Sequence, residues 1–188
     1  MLARRTLLAL FATLPLAARA APVPYRLQAD RSTVGFTYYF GDQPSTGTMP
    51  VAEADLSLDF GTVSRSAVAV SLDVSRARTG FGLATEALKS RSVLDAGRHP
   101  RIGFVARRIT GGGTTARLEG DLNLRGQTRP LTLDATLYRQ QGSAAGDLTD
   151  LSLILTGSPD RRDWGATGYA DLVGPQVDLR ILARITRA

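Results

Sequence analysis

The chain has 188 residues, a formal net charge of +6 from 23 basic and 17 acidic side chains, one histidine and no cysteine. The length fits one domain with an ordinary core, and the missing cysteines exclude disulfide scaffolds, thiolate zinc sites, iron–sulfur clusters and cysteine nucleophiles. His99 alone does not make a multi-histidine metal site or a two-histidine haem site, so acid–base chemistry would rest on carboxylates, tyrosines, the lone lysine or this imidazole.

The first 20 residues have the pattern of a cleaved secretory signal peptide. Arg4 and Arg5 supply a positive start, an apolar run follows, and Ala18-Arg19-Ala20 is a small-x-small cleavage pattern. The apolar run is too short to span a bilayer as a stable helix. We therefore predict an exported domain of residues 21–188 without a stable membrane anchor. The arginines of the signal account for half of the net charge of +6, so the charge does not indicate a nucleic-acid partner.

Strict alternation of apolar and polar residues dominates the rest of the chain. This pattern is typical of strands with one apolar and one polar face. Glycine-rich turn signals separate several of the segments, for example Gly41-Asp42, Arg125-Gly126-Gln127 and Gly174-Pro175. The pattern predicts eight strands, at residues 34–40, 56–60, 68–74, 102–106, 118–124, 131–137, 151–155 and 177–185.

One segment departs from the alternation. Between Leu83 and Leu94, apolar residues recur at spacings of three and four, which predicts a short amphipathic helix over about residues 83–94. The Asp95-Ala96-Gly97 step is expected to end this helix before His99-Pro100.

Eight amphipathic antiparallel strands form either a sandwich or a closed barrel, and closure removes the edge strands. A barrel of about eight strands has an interior that is filled by side chains or holds one small ligand. The inward residues are mostly aliphatic and, between Ala116 and Ala135, often small. Small residues leave volume, whereas leucines from facing strands would fill it, so periodicity leaves both alternatives open.

The densest group of charged and aromatic residues is Arg161-Arg162-Asp163-Trp164-Gly165. Arginine and carboxylate at this range usually form a local ion pair, and a lone tryptophan usually plugs a barrel. Alternatively, an arginine at the barrel mouth would bind a phosphate head group through its planar fork. Hydrolase, metalloprotease and phosphate-loop motifs are absent from the sequence, so binding is favoured over catalysis.

A further indication comes from motifs whose order and spacing cover nearly the whole chain after the signal. They are Tyr25-x4-Asp30-x-Ser32-x-Val34-x-Phe36, Ser75-x3-Thr79-Gly80, Glu86-x-Leu88-Lys89-Ser90, His99-Pro100-x-Ile102-x-Phe104, Gly120-Asp121-Leu122-x-Leu124-x-Gly126-x-Thr128-x-Pro130, Arg161-x-Asp163-Trp164-Gly165 and Gly174-x2-Val177. Together they resemble the YceI-like family of exported isoprenoid-binding proteins.

The resemblance implies an all-β, lipocalin-like barrel of eight antiparallel strands with one short helix and a lengthwise apolar tunnel. It implies a long-chain isoprenoid lipid, such as a quinone or a polyprenyl phosphate, as the partner, held without catalysis and without a separate cofactor. By strand parity, the side chains predicted to line the tunnel are Phe36, Tyr38, Phe40, Leu58, Val70, Leu72, Phe104, Leu122, Leu124, Leu133, Leu153, Leu155 and Ile181.

Two other functions fit the same strand pattern. A structural or interaction module would have a filled barrel and an arginine-rich outer face that docks a partner. An enzyme acting on a lipid inside the barrel would place two titratable side chains in the cavity within hydrogen-bond reach, and Tyr38 is the lone candidate for such a role.

Overall fold

The computed structural model describes residues 21–139, 142, 144 and 146–188. The predicted signal peptide at residues 1–20 lies outside the described residues. The strands and the α-helix are, in chain order, β1 (Val23–Leu27), β2 (Thr33–Phe40), β3 (Gln43–Met49), β4 (Val51–Leu58), β5 (Ala67–Asp73), β6 (Arg78–Thr79), α1 (Gly82–Lys89), β7 (Arg101–Gly112), β8 (Thr115–Leu124), β9 (Gln127–Arg139), β10 (Asp150–Gly157) and β11 (Val173–Arg187).

Eight of these strands close into an antiparallel barrel. The order around the ring is β1-β4-β5-β7-β8-β9-β10-β11, and β1 completes it by pairing with both β4 and β11. Tyr25 lies at this closure, opposite Leu56 on one side and Arg187 on the other. The predicted all-β, eight-stranded, lipocalin-like barrel is confirmed.

The remaining strands extend the same walls beyond the ring. β2 follows β1 after a turn at Ala29–Arg31 and pairs with the first part of β11. β3 is separated from β4 only by Pro50, which has no N–H to donate to a neighbouring strand, and β6 follows β5 after a turn at Val74–Arg76. The alternation pattern missed β1, β3 and β6 because they are short or, in β3, mostly polar.

The helix is shorter than predicted. It ends at Lys89, so the prediction that it continues to Leu94 is wrong. The backbone leaves the helical conformation at Ser90, where φ is −61° and ψ is 162°. Nη1 of Arg125 then donates hydrogen bonds to the carbonyl oxygens of Arg91 (2.8 Å) and Val93 (2.6 Å) in the segment that follows the helix. Residues 91–94 form turns instead, and Leu94 is buried.

The predicted turn at Gly174-Pro175 is also wrong, because both residues lie within β11. The pairing of β11 with β2 shifts register between Val173 and Val177, so this part of the strand is irregular. Proline is tolerated at such a position because no regular ladder hydrogen bond is required of its nitrogen.

Three arginines of β7 and β8 pair with carboxylates on the neighbouring strand: Arg107 with Asp121, Arg108 with Glu119 and Arg117 with Asp134. Nε of Arg107 lies 2.7 Å from Asp121, and Nε of Arg117 lies 2.8 Å from Asp134. Such exposed pairs stabilise a fold by only about 0.2–1 kcal/mol each. The outer face of β7, β8 and β9 is therefore solvated and locally matched in charge.

Asp178 joins three parts of the chain on the outside of the barrel. Its carboxylate accepts hydrogen bonds from the hydroxyls of Ser158 and Tyr39, both at 2.6 Å, and from the amide of Gln176 at 3.2 Å. The Ser158 hydroxyl, followed by that of Tyr39, holds the pKa of Asp178 below its ordinary value of 3.8. Lowered pKa values are shared by Asp73, Asp134, Asp147 and Asp160.

These shifts predict a loss of stability in acid. A carboxylate whose pKa is lower in the folded state stabilises the fold above its unfolded pKa, and this stabilisation disappears as the pH falls through that value towards the folded pKa. We expect the melting temperature, followed by circular dichroism, to fall below about pH 4. Asp178→Asn should weaken this dependence, whereas Asp171→Asn on an exposed loop serves as the control. A melting temperature that stays constant between about pH 7 and pH 3 would contradict the prediction.

Candidate functional site

A cavity of about 860 Å³ occupies the barrel interior, within the usual size range of small-molecule sites. Its wall is formed by the inward, apolar faces of the strands. Leu153, Leu155 and Ile181 line this cavity and are only partly buried, although each also packs against the buried core. The predicted alternative of a filled barrel is therefore wrong.

The structure places all thirteen side chains predicted by strand parity on the cavity wall. Phe36, Phe104, Leu122 and Leu133 are buried among their neighbours, and most of the others are partly buried. Phe40 differs from the rest because β2 ends there and the chain turns at the following residue. It lies at the edge of the cavity and is exposed.

Part of the wall was missed by the sequence patterns. Phe81 and Leu83 at the start of α1 line the cavity, as do Trp164, Tyr169 and Leu172 in the connection between β10 and β11. These residues do not belong to alternating segments, so parity gives no direction for their side chains. The Arg161-x-Asp163-Trp164-Gly165 motif was the one signal in this connection.

Two glycines let aromatic rings lie close against the wall. Gly47 is the cross-strand partner of Phe36, and the ring of Phe36 occupies the space where a Cβ of residue 47 would lie. A Cβ at Gly120 would similarly come within 2.7 Å of Cζ of Phe104. Because each ring packs over a glycine of the neighbouring strand, less of it projects into the cavity.

One end of the cavity is closed by a compact apolar cluster. Tyr25 is buried there with Leu56, Leu151 and Ile185. Its ring meets Phe60 edge to face, with centroids 5.7 Å apart. The hydroxyl of Tyr25 donates a 2.7 Å hydrogen bond to the carbonyl oxygen of Leu148, and burial raises its pKa, so it remains a neutral donor.

The opposite end is open. The lining residues that are exposed to solvent all lie there, on the β2–β3 hairpin, at the start of α1 and on the segment before β11. The amide of Gly41 donates a 3.0 Å hydrogen bond to the carbonyl oxygen of Leu172, which joins the hairpin to that segment. The exposed lining residues are Phe40, Gln43, Phe81, Leu83, Tyr169 and Leu172.

Arg161 organises the segment beside this opening. Its guanidinium donates hydrogen bonds to the carbonyl oxygens of Gly174 (3.0 Å), Ala166 (2.5 Å), Gly168 (2.8 Å) and Val173 (2.7 Å). Burial lowers its pKa. Because four of the five guanidinium N–H groups are used in this way, the geometry favours a structural role over phosphate binding.

The neighbouring residues of the motif also have structural partners. Arg162 pairs with Asp160, with Nη2 2.5 Å from the carboxylate. Trp164 is only 2% exposed, and its Nε1 donates a 3.0 Å hydrogen bond to the carbonyl oxygen of Leu122. The tryptophan therefore plugs part of the barrel between the cavity and β8, in agreement with the prediction that the lone tryptophan fills the barrel rather than binding a ligand.

The titratable side chains on the cavity wall are Tyr38, Asp59, Arg161 and Tyr169. The carboxylate of Asp59 accepts from nearby amides and lies 3.4 Å from Arg65. Within residues 21–139, 142, 144 and 146–188, no hydrogen bond joins two of these four side chains. The same residues contain no group of three potential metal ligands.

Of the helices in the described part of the chain, none is long and apolar enough to cross a membrane.

Comparisons with known proteins place this barrel in a family. The chain superposes on BcnA of Burkholderia cenocepacia with a TM-score of 0.74 and 15% identity, covering 85% of this chain and 99% of that one. It superposes on the YCEI protein of Campylobacter jejuni with a TM-score of 0.63 and 13% identity, covering 100% and 99% of the two chains. At these identities the likeness establishes the fold. No curated protein sequence matches the chain significantly.

The family model described as the YceI-like domain matches residues 25–185, which confirms the resemblance found in the sequence motifs. The match begins in β1 and ends in β11, so it includes every strand of the closed barrel. The chain therefore belongs to the YceI-like family, whose barrels bind hydrophobic ligands.

Proposed function

We propose that this protein binds a long prenyl chain, of isoprenoid quinone or polyprenyl phosphate type, in its barrel and sequesters or carries it without chemistry in the periplasm. The observation that carries the proposal is the apolar cavity of about 860 Å³, closed at one end and open at the other. The family is periplasmic in general, which agrees with the predicted signal peptide.

The composition of the wall supports a hydrocarbon tail as the occupant. Burial of each methylene contributes about 0.8 kcal/mol, so a long tail is held without a polar anchor. The thirteen side chains that strand parity predicts to line the tunnel, which include Val70, Leu72 and Leu124, would then contact the tail. Selection among ligands would rest on tail length and cavity shape.

The solvent exposure of the cavity wall supports an orientation for the ligand. The lining side chains that are exposed all lie at the opening, whereas the Tyr25 cluster closes the other end. Polar lining residues lie at both ends, with Gln43, Ser45 and Thr79 towards the opening and Ser32, Asp59 and Ser66 towards the Tyr25 cluster. Access to solvent, rather than polarity of the wall, therefore favours a head group near the opening and a tail directed towards the closed end.

Mass spectrometry of the organic extract tests this function. Protein purified from the periplasm of its native host should release a prenyl lipid in roughly equimolar amount. A mock purification from cells that lack the gene provides the control. An extract without prenyl lipid, together with no binding of added quinone, would overturn the proposal.

A further inference from the structure

We propose that the open end of the barrel docks on the surface of a lipid bilayer. The contact surface is formed by Phe40, Phe81, Leu83, Tyr169 and Leu172, which we call the apolar rim. This inference rests on the proposed function, because it describes how a water-insoluble tail enters and leaves the cavity.

The apolar rim is unusual because its large hydrophobic side chains are exposed to solvent. Its side chains are between 48% and 81% exposed, and they come from three separate segments of the chain. Among the described residues, the other exposed large hydrophobic side chains are Val105 and Tyr138, which lie away from the cavity. Concentration of exposed apolar surface at one place is typical of protein or membrane contacts.

Continuity with the cavity favours a membrane as the occupant of this surface. The five rim residues are exposed to solvent and also line the cavity, so apolar surface extends from the outside into the barrel. A tail that crossed water would lose about 0.8 kcal/mol for each exposed methylene. Seating the rim against the bilayer keeps the tail in apolar surroundings throughout its transfer.

The charge beside the rim is complementary to anionic lipid head groups. The segment from Arg76 to Arg101 passes this end of the barrel, where the carbonyl oxygen of Ser92 accepts a 2.8 Å hydrogen bond from the amide of Gly168. The segment has six basic and two acidic residues. The ion pairs found in the described residues do not use these basic side chains, which are Arg76, Arg78, Lys89, Arg91, Arg98 and Arg101.

The opposite side of the mouth is acidic. Asp42 and Asp171 are exposed next to the hydrogen-bonded pair of Gly41 and Leu172. Basic residues near an anionic surface contribute about 1 kcal/mol each, and carboxylates are repelled. We therefore expect the α1 side of the rim to contact the bilayer most closely. Apolar residues flanked by basic ones are the usual pattern of interfacial membrane contacts.

Vesicle flotation with matched double variants tests the docking. Phe81→Ser with Leu83→Gln removes two rim side chains, and serine at the position before α1 suits a helix N-cap. Val105→Thr with Tyr138→Thr removes two exposed apolar side chains outside the rim. We expect the wild type and the control to float with vesicles of phosphatidylethanolamine and phosphatidylglycerol, more strongly than with phosphatidylcholine alone. The rim variant should bind about tenfold to a hundredfold more weakly.

Two results would overturn the docking proposal. One is that the wild type does not float with the anionic vesicles, and the other is that the rim variant floats as well as the control. A protein partner that is lost from the rim variant, without vesicle binding by the wild type, would assign the rim to that partner instead.

Failure of the proposed function is measured separately. Trp164 lines the cavity and is the only tryptophan, so its fluorescence reports binding of geranylgeraniol added from ethanol without vesicles. No binding by the wild type would overturn the prenyl-binding function. Vesicle flotation tests the docking surface whether or not the protein binds geranylgeraniol, because flotation does not require a bound tail.

Discussion

Leu155→Arg is expected to weaken binding of a prenyl chain by roughly two to three orders of magnitude. Leu155 lies on β10 between its cross-strand partners Ala135 and Ile181, and all three line the cavity. A guanidinium at this position displaces at least one prenyl unit from the wall. It also carries a charge that an apolar tail cannot solvate.

The adjacent residue provides the control. Thr156 is exposed and does not line the cavity, because successive side chains of a strand point to opposite faces. Thr156→Arg should therefore leave the dissociation constant within about twofold of the wild type. Geranylgeraniol titrations followed by Trp164 fluorescence compare the variants, and circular dichroism checks that both are folded. Equal affinities of the two folded variants would contradict the location of the tail.

Arg161→Ala is expected to lower the free energy of unfolding by about 3 kcal/mol. The substitution removes a charged donor and leaves the carbonyl oxygens of Ala166, Gly168, Val173 and Gly174 without this partner. Buried carbonyls that lose their hydrogen bonds destabilise a fold more than an exposed ion pair does. Urea denaturation measures the change.

Two further variants identify the cause of this loss. Arg162→Ala breaks the exposed pair with Asp160 and should cost at most about 1 kcal/mol. Arg161→Lys keeps the charge but replaces the planar fork with a single ammonium, so it should restore only part of the stability. An Arg161→Ala protein as stable as Arg162→Ala would contradict the structural role of this guanidinium.

The barrel is largely predictable from the sequence because its strands bury one face. The period-two pattern of β9 is regular and gives both the element and the direction of each side chain. β3 contains mostly polar residues, so the pattern does not distinguish it from a loop. The early end of α1 is not visible in the sequence, because the helical spacing of apolar residues continues to Leu94 although the backbone becomes extended at Ser90.

The candidate site is predictable in part for the same reason. Parity places the side chains of Leu153 and Leu155 inside the barrel, but it does not say how far opposite walls stand apart. Whether the interior is open also depends on how the lining side chains pack, such as the ring of Phe36 over Gly47 of the neighbouring strand, and alternation does not give this packing. The apolar rim is less predictable still, because it is assembled from three separate segments that meet only in the folded chain.

The dependence of affinity on tail length tests most directly the claim that the cavity holds a prenyl tail. A series of prenyl alcohols of increasing length, each titrated against the wild type, gives the dissociation constants. The account predicts a gain of roughly tenfold or more for each added prenyl unit until the cavity is filled, and little gain beyond that length. Replacing the alcohol by a phosphate should change the affinity less than adding one unit. A dissociation constant that is independent of tail length, or that is set by the head group, would contradict the account.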